Sequence, residues 1–216
     1  MKRLILYDLD GTLVDTKLDI AQAVNHALKE LGASVLHPDE VARFVGSGLD
    51  QLIGGSLKTH DPAVIERGIE LFRTYYAKHL ADYSTLYPGV REVLEYFKAR
   101  TQAVITNKPN PYSKNLLSAL GVASYFSDIM SGDGEYPRKP DPSAVFTLLQ
   151  RDGVSASEAL VIGDSPIDVE MGRRAGIFTL AVAQGFNARE ELVRANPDAL
   201  VDDFAAVLAF VKQQGW

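Results

Sequence analysis

Asp8 and Asp10 close the first apolar run of the chain, Leu4-Ile5-Leu6-Tyr7, and are followed by Gly11 and Thr12. Residues two apart on an extended segment point the same way, so both carboxylates should face one site. Gly11 permits a backbone turn that strains other residues. Three more clusters each sit near the end of an apolar run or the start of a helical pattern. Thr106-Asn107 follows Val104-Ile105, and offers a hydroxyl and an amide at a helix start that can hold anionic oxygens. Lys139 lies in Arg138-Lys139-Pro140-Asp141-Pro142, and Gly163-Asp164-Ser165-Pro166-Ile167-Asp168 follows Leu160-Val161-Ile162. Each has a plainer reading alone. Acids solvate loops, Asp164 would cap a helix, and a lone lysine is ordinary surface.

Together the four clusters meet one chemical need. Mg²⁺ takes hard oxygen ligands, usually one or two carboxylates with substrate oxygens and water, and Asp8 and Asp164 can supply the carboxylates. Mg²⁺ and Lys139 would balance the charges of Asp8, Asp164 and Asp168. An anionic nucleophile could then approach a phosphate group, and charge on a transferring phosphoryl group would be stabilised. A carboxylate nucleophile splits one hard displacement into two easier ones. A second carboxyl group two residues on can act as acid and then base.

These residues need a frame that brings strand ends together. Apolar bursts of strand length recur at Leu4–Tyr7, Ala103–Ile105, Leu160–Ile162 and Ile177–Val182, with a weaker one at Phe126–Met130. Continuous apolar runs suit strands buried on both faces. Helical patterns separate them: Val90, Val93, Leu94 and Phe97 line one face, and Leu116, Leu117 and Leu120 another that ends at Gly121. Asp141-Pro142 reads as a cap followed by proline at the first helical position. Met171 and Ala175 precede a stop at Gly176. The alternation predicts an α/β fold with a doubly wound parallel sheet, in which ligands bind beyond the carboxyl ends of the strands.

Residues 15–85 break this rhythm. Ile20, Val24, Ala27, Leu28 and Leu31 form one helical stripe, and Ile65, Ile69, Phe72 and Tyr76 a second, with no convincing strand. The block is far longer than the loops typical of such folds. We therefore expect a discontinuous core, residues 1–14 and 86–216, carrying an inserted all-helical cap, residues 15–85.

The composition narrows the field. Of 216 residues, 46% are hydrophobic and 23% charged, as in a globular protein with a real core, and the net charge of −6 leaves no basic footprint for nucleic acid. There is no cysteine, which excludes disulfides and thiolate metal sites. The N-terminal apolar run is too short for a signal peptide, and no run is long enough to span a membrane. We expect a cytoplasmic protein. The exposed faces point to no particular oligomeric state. His26, His37, His60 and His79 show no metal-ligand spacing.

The ordered set Asp8-Leu9-Asp10-Gly11-Thr12-Leu13, Thr106, Lys139 and Gly163-Asp164-x-x-x-Asp168 resembles the haloacid dehalogenase-like hydrolase superfamily over the whole chain. Several stretches look like bacterial phosphoglycolate phosphatases: Leu13-Val14-Asp15-Thr16 with Asp19-Ile20, Val45-Gly46-Ser47-Gly48, Tyr87-Pro88-Gly89-Val90, Thr106-Asn107-Lys108-Pro109 and Arg138-Lys139-Pro140-Asp141-Pro142. The resemblance implies a Rossmann-like core, Mg²⁺ as cofactor and a small phosphate monoester as substrate, with 2-phosphoglycolate the best match. It implies that Asp8 attacks phosphorus and binds the metal. Asp10 would protonate the leaving alcohol and activate water, its backbone carbonyl binding the metal. Thr106 and Asn107 would hold phosphoryl oxygens, Lys139 would neutralise charge, and Asp164 would bind the metal. Asp168 would hold metal-bound water or Lys139. Gly172 departs from the alanine common at that place in similar proteins.

Similar proteins carry the Gly46-Ser47-Gly48 loop over the active site. Its backbone N–H groups at a helix start could hold a substrate carboxylate, with Ser47 and Arg43 assisting. Hinges are expected near residues 14–16 and 86–88. Other readings stay open. The motifs fit a phosphatase for a sugar phosphate or a nucleotide equally well. A phosphosugar mutase would often carry valine in place of Thr12, and a dehalogenase would lack the acid at Asp10. A non-catalytic binding protein would have no physical need for so many like charges together.

Overall fold

The computed structural model describes all residues, 1–216. The chain opens with β1 (Leu4–Tyr7), then a two-residue strand β2 (Val14–Asp15) and four helices: α1 (Lys17–Glu30), α2 (Pro38–Ala42), α3 (Leu49–Leu57) and α4 (Pro62–His79). A second two-residue strand, β3 (Thr85–Leu86), returns antiparallel beside β2. From there strands and helices alternate: α5 (Val90–Tyr96), β4 (Thr101–Ile105), α6 (Tyr112–Ala119), β5 (Asp128–Met130), α7 (Ser143–Asp152), β6 (Ala159–Gly163), α8 (Pro166–Ala175), β7 (Phe178–Val182), α9 (Arg189–Ala195), β8 (Ala199–Val201) and α10 (Phe204–Gln213).

Six strands form one parallel sheet in the order β5-β4-β1-β6-β7-β8. This is the α/β class predicted above, with a helical cap. All four residues of β1 are fully buried because helices cover both sheet faces. Alternate side chains enter separate cores. Ile5 and Tyr7 pack with α5, α6 and α10, in a cluster that runs on into α1, α3 and α4. Leu4 and Leu6 pack with Ala144, Val145 and Leu148 of α7 and Met171 and Ala175 of α8. The chain builds outward from β1 on one side through β4 and β5, then jumps across it to β6. Beyond the carboxyl end of β1 lies the crevice that such a reversal opens.

Helix α8 begins with Pro166 at its first position and a reciprocal cap between Ser165 and Asp168. Gly172 lets this helix lie close on the sheet, because a Cβ there would approach Val161 Cγ1 to 2.7 Å. An alanine would need the helix to lift. Asp19, in the first turn of α1, is buried and accepts from the Tyr83 and Ser84 backbone N–H groups and from Ser84 Oγ at 2.6 Å. It ties the start of the four-helix segment to its end.

Four details differ from the sequence reading. The 15–85 block is bounded by the β2–β3 ribbon, too short to leave a two-residue period in the sequence. Strand β8, half-buried and at the sheet edge, was not expected. The weak 126–130 candidate shortens to Asp128–Met130. Helix α7 begins at Ser143 with Pro142 as its cap residue, and Asp141 Oδ1 accepts from Ser143 N at 2.9 Å. No helix is long and apolar enough to cross a membrane.

Candidate active site

The ends of three neighbouring strands set the site. Asp8 follows β1, Thr106 follows β4 and Asp164 follows β6. Asp8, Asp164 and Asp168 are buried, and one carboxylate oxygen from each lies within 4.8 Å of the others. Lys139 Nζ enters this group, 2.6 Å from Asp8 Oδ1 and 2.8 Å from Asp168 Oδ1. Its approach to Asp8 is an ion pair outside hydrogen-bond directionality, and Asp8 Oδ1 has no other donor. Asp168 is fully engaged, since Oδ2 accepts from Ser165 N and Ser165 Oγ. Asp168 thus holds the lysine, which was one of its two expected roles.

Asp164 is held from two sides. Thr12 Oγ1 donates to Oδ1 at 2.6 Å and Phe186 N donates to Oδ2 at 2.9 Å. Gly11, at φ +85°, passes so close that a side chain there would collide with this carboxylate. Asp10 sits across the crevice. Its Oδ1 accepts from Thr16 Oγ1 at 2.7 Å, and Lys108 Nζ lies 2.9 and 3.2 Å from its two oxygens. Asp8 and Asp10 therefore face one site, each with its own buried ammonium.

Burial, then repulsion from Asp168, pushes the Asp164 carboxyl up to about 6. Burial chiefly, with repulsion from Asp168 and Asp164, raises Asp8 against the pull of Lys139. Burial works to lower Lys139, but Asp168 and Asp8 outweigh it and hold the ammonium above the usual lysine range. Burial likewise opposes Lys108, and Asp10, joined by Tyr76, more than compensates. Four carboxylates thus face two ammonium groups in a low-dielectric crevice. The excess negative charge and the unsatisfied Asp8 oxygen fit a hard divalent cation. Both Asp168 oxygens are already engaged, so Asp8 and Asp164 are the carboxylates of the group that could hold it.

A cavity of about 510 Å³, counting its open mouth, connects Asp8, Asp10, Thr106 and Lys139 to the underside of α1, α3 and α4. Gly46 and Gly48 line it. Arg43 and Ser47 do not, and both are exposed. Val41 and Ala42 take the buried positions of the short helix α2 and leave Arg43, at its cap, outside. Asn107 also departs from expectation. Its Nδ2 donates to Gly46 O at 2.7 Å and Lys139 O at 3.1 Å, and its Oδ1 accepts from Lys139 N. The amide joins the cap loop to the lysine turn, which leaves only the Asn107 backbone N–H for a phosphoryl oxygen. Thr106 Oγ1 accepts from Lys108 N and keeps its own proton to donate.

Sequence reasoning missed Lys108, Thr16 and Tyr76. Lys108 lay in a quoted motif, two residues beyond Thr106, and the same alternation that pairs Asp8 with Asp10 was its available signal. Tyr76 reads as one more member of the α4 stripe, and nothing in a helical period distinguishes a core tyrosine from one that lines a cavity.

A parallel sheet with an acid pair just beyond its central strand, helices on both faces and a helical segment above defines a doubly wound α/β protein with an anionic crevice at its strand ends. The model of the haloacid dehalogenase-like hydrolase family matches residues 5–182, and the chain belongs to that family. It is 36% identical to the phosphoglycolate phosphatase of Vibrio parahaemolyticus, over 97% of this chain and 96% of that protein. Identity is also 36% to the phosphoglycolate phosphatase of Pseudomonas savastanoi pv. phaseolicola, over 96% of this chain and 79% of that one. The crystal structure of a predicted phosphoglycolate phosphatase from Haemophilus somnus superposes with a TM-score of 0.91 at 31% identity, covering 97% of this chain and 98% of the other.

Proposed function

We propose that this phosphoric monoester hydrolase cleaves 2-phosphoglycolate to glycolate and phosphate, through an aspartyl-phosphate on Asp8 and with Mg²⁺ as its cation. The observation that carries the mechanism is the pairing of two carboxylates across one crevice. Asp8 is locked beside Lys139, and Asp10 is held by Thr16 and Lys108.

An Asp8 oxygen attacks phosphorus and the bond to the leaving oxygen breaks. Protonated Asp10 gives its proton to that oxygen and releases the alcohol. Asp10, now ionised, takes a proton from water as the water attacks phosphorus, and the Asp8–phosphorus bond breaks to give inorganic phosphate. Thr106 Oγ1 and the backbone N–H of Asn107 bind phosphoryl oxygens. Lys139 offsets their charge while Asp168 keeps it in place. Mg²⁺, held by Asp8 and Asp164 with the Asp10 carbonyl, would neutralise charge on the phosphoryl group. Residues 15–85 act as the cap that excludes bulk water, with residues 14–16 and 86–88 as hinges.

The cavity walls favour a small leaving group over a sugar or nucleotide. Ile20, Leu49, Leu52 and Phe72 line its cap side. A polyhydroxylated leaving group would bury its hydroxyls there without partners, at about 1–3 kcal/mol each.

The test is a phosphate-release assay with Mg²⁺ over a panel of small monoesters, joined to rapid acid quench and mass analysis of the peptide that holds residue 8. Phosphate release with 2-phosphoglycolate preferred, and an added phosphoryl group on Asp8, are expected. Release without a phosphorylated intermediate would overturn the mechanism, and preference for a sugar phosphate would overturn the substrate.

Asp10→Asn should lower kcat on 2-phosphoglycolate by about 10²–10⁴-fold, because the amide cannot transfer protons. With 4-nitrophenyl phosphate, whose leaving group needs no proton, the quenched enzyme should accumulate phospho-Asp8, since only the water step then lacks its base. A wild-type rate in this variant would remove Asp10 from the mechanism.

Metal and proton compete for the same oxygens. Asp164 titrates near 6 when folded, above the ordinary aspartate range. At this group the folded, metal-free state therefore holds more proton than the unfolded chain between about pH 4 and 6, and its contribution to stability falls as pH rises through that window. Mg²⁺ should raise the thermal midpoint more at pH 7.5 than at pH 5, as read by calorimetry. Equal shifts at both values would mean that these carboxylates do not bind it.

A further inference from the structure

Tyr76 is 1% exposed, yet its hydroxyl makes no well-directed hydrogen bond, with the Lys108 ammonium as its polar neighbour. An orphaned buried hydroxyl is costly, and native proteins keep few of them without a purpose. This one belongs to a side chain that lines the reaction cavity. The ring is fixed on three sides. Phe72 stacks on it at 5.1 Å, Tyr112 meets it edge-on at 5.4 Å, and Lys108 Nζ lies 4.7 Å from its centroid. Tyr76 comes from cap helix α4, whereas Tyr112 and Lys108 belong to the segment after β4. The group is assembled only where these two parts of the chain meet.

Lys108 brings a second unused capacity. An ammonium has three N–H donors, and Asp10 offers this one two oxygens. Nζ lies 4.7 Å from the Tyr76 ring centroid, so its third donor can turn to the side of the cavity that Tyr76 lines. A phenol donor and an ammonium donor side by side select a partner that only accepts, and a carboxylate is such a partner.

We infer that Tyr76 and Lys108 form the subsite that binds the carboxylate of the leaving group and so determine substrate choice. The inference rests on the proposed role of Asp10 at the leaving oxygen. In 2-phosphoglycolate the carboxylate oxygens are three bonds from that oxygen. Lys108, which touches Asp10, stands at the matching place. The subsite succeeds Arg43 and Ser47, which lie outside the cavity. It also gives Lys108 a dual office, bridging the proton-transfer acid to the substrate's own acid, so that a leaving group without a carboxylate is poorly aligned.

The test compares 2-phosphoglycolate with ethyl phosphate, in which a methyl group replaces the carboxylate, using the wild-type enzyme and Tyr76→Phe with Mg²⁺. The wild type should prefer 2-phosphoglycolate in kcat/KM. Tyr76→Phe removes one oxygen from a packed ring and should lower that preference about ten- to a hundredfold, the worth of one hydrogen bond to a charged group. The loss should fall mainly on KM for 2-phosphoglycolate. The inhibition constant of glycolate against ethyl phosphate should rise by a similar factor. An unchanged preference in Tyr76→Phe, or parallel loss on both esters, would overturn the inference. So would a wild type that turns over both esters equally, while its phosphatase chemistry stood. A wild type that hydrolyses neither ester would instead remove the function on which the inference stands.

Discussion

Asp8→Asn should abolish phosphate release, with a fall of at least about 10⁴-fold expected when a covalent nucleophile is lost. The carboxamide keeps the shape, but its oxygen carries no negative charge and is a far weaker nucleophile. No phosphorylated peptide should be found after acid quench. The fold should survive, and the metal-free variant should melt no lower than the wild type. Asp8 is a buried carboxylate repelled by Asp168 and Asp164, and Lys139 retains Asp168 at 2.8 Å when Asp8 becomes neutral. The midpoint gain on adding Mg²⁺ should shrink, since one anionic ligand is gone. Residual turnover within tenfold of wild type would show that Asp8 is not the nucleophile. A large drop in midpoint would show that its charge holds the structure together.

Lys139→Ala should damage both rate and stability. The ammonium stands between Asp8 and Asp168, and its side chain is only 2% exposed. Removing one partner of a buried ion pair strands the other, at about 3–5 kcal/mol. That is a large share of the stability of an ordinary domain. Turnover should fall by at least about a hundredfold, because a preorganised cation beside the transferring phosphoryl group is lost. In the wild type the lysine is held above its usual range, so its contribution is present at neutral pH and disappears only as pH rises through that elevated value. Mg²⁺ should recover part of the lost stability in the variant, by offsetting the unpaired buried negative charge, without restoring the rate. Thermal unfolding and steady-state kinetics at pH 7.5 check both claims. A midpoint equal to wild type would mean that the carboxylates had never depended on Lys139.

The parts of this site that could be read in the sequence are those that sit directly on strand ends. Asp8, Thr106 and Asp164 each follow an apolar burst, and burial on both faces makes such bursts conspicuous. Parallel neighbours then force those ends together, whatever lies between them. Lys139 was found by its place in a motif, and its neighbour Asp168 by spacing from Asp164. Where the reading failed, the missing quantity was direction. Proximity to the glycine loop put Arg43 and Ser47 over the site, but side chains on a short helix and its turn can face either way. Asn107 stands next to Thr106, yet its amide turns toward Gly46 and the backbone of Lys139. Tyr76 shares a stripe with Phe72, and a single period describes both wall and core. Strands β2, β3 and β8 are too short to show a pattern at all.

The central place of β1 bears on how the protein is made. Leu4 lies beside Thr101 on one flank and Ala159 on the other. As the chain leaves the ribosome, the strand that leads into Asp8 emerges well before its neighbours, with none until β4 appears and none on its second flank until β6. Four apolar residues with open edges thus persist until those strands follow, a state prone to mispairing and chaperone capture. The four helices that follow can fold in the interval from contacts near in sequence. The proposed nucleophile is thus made long before the strands that complete its surroundings.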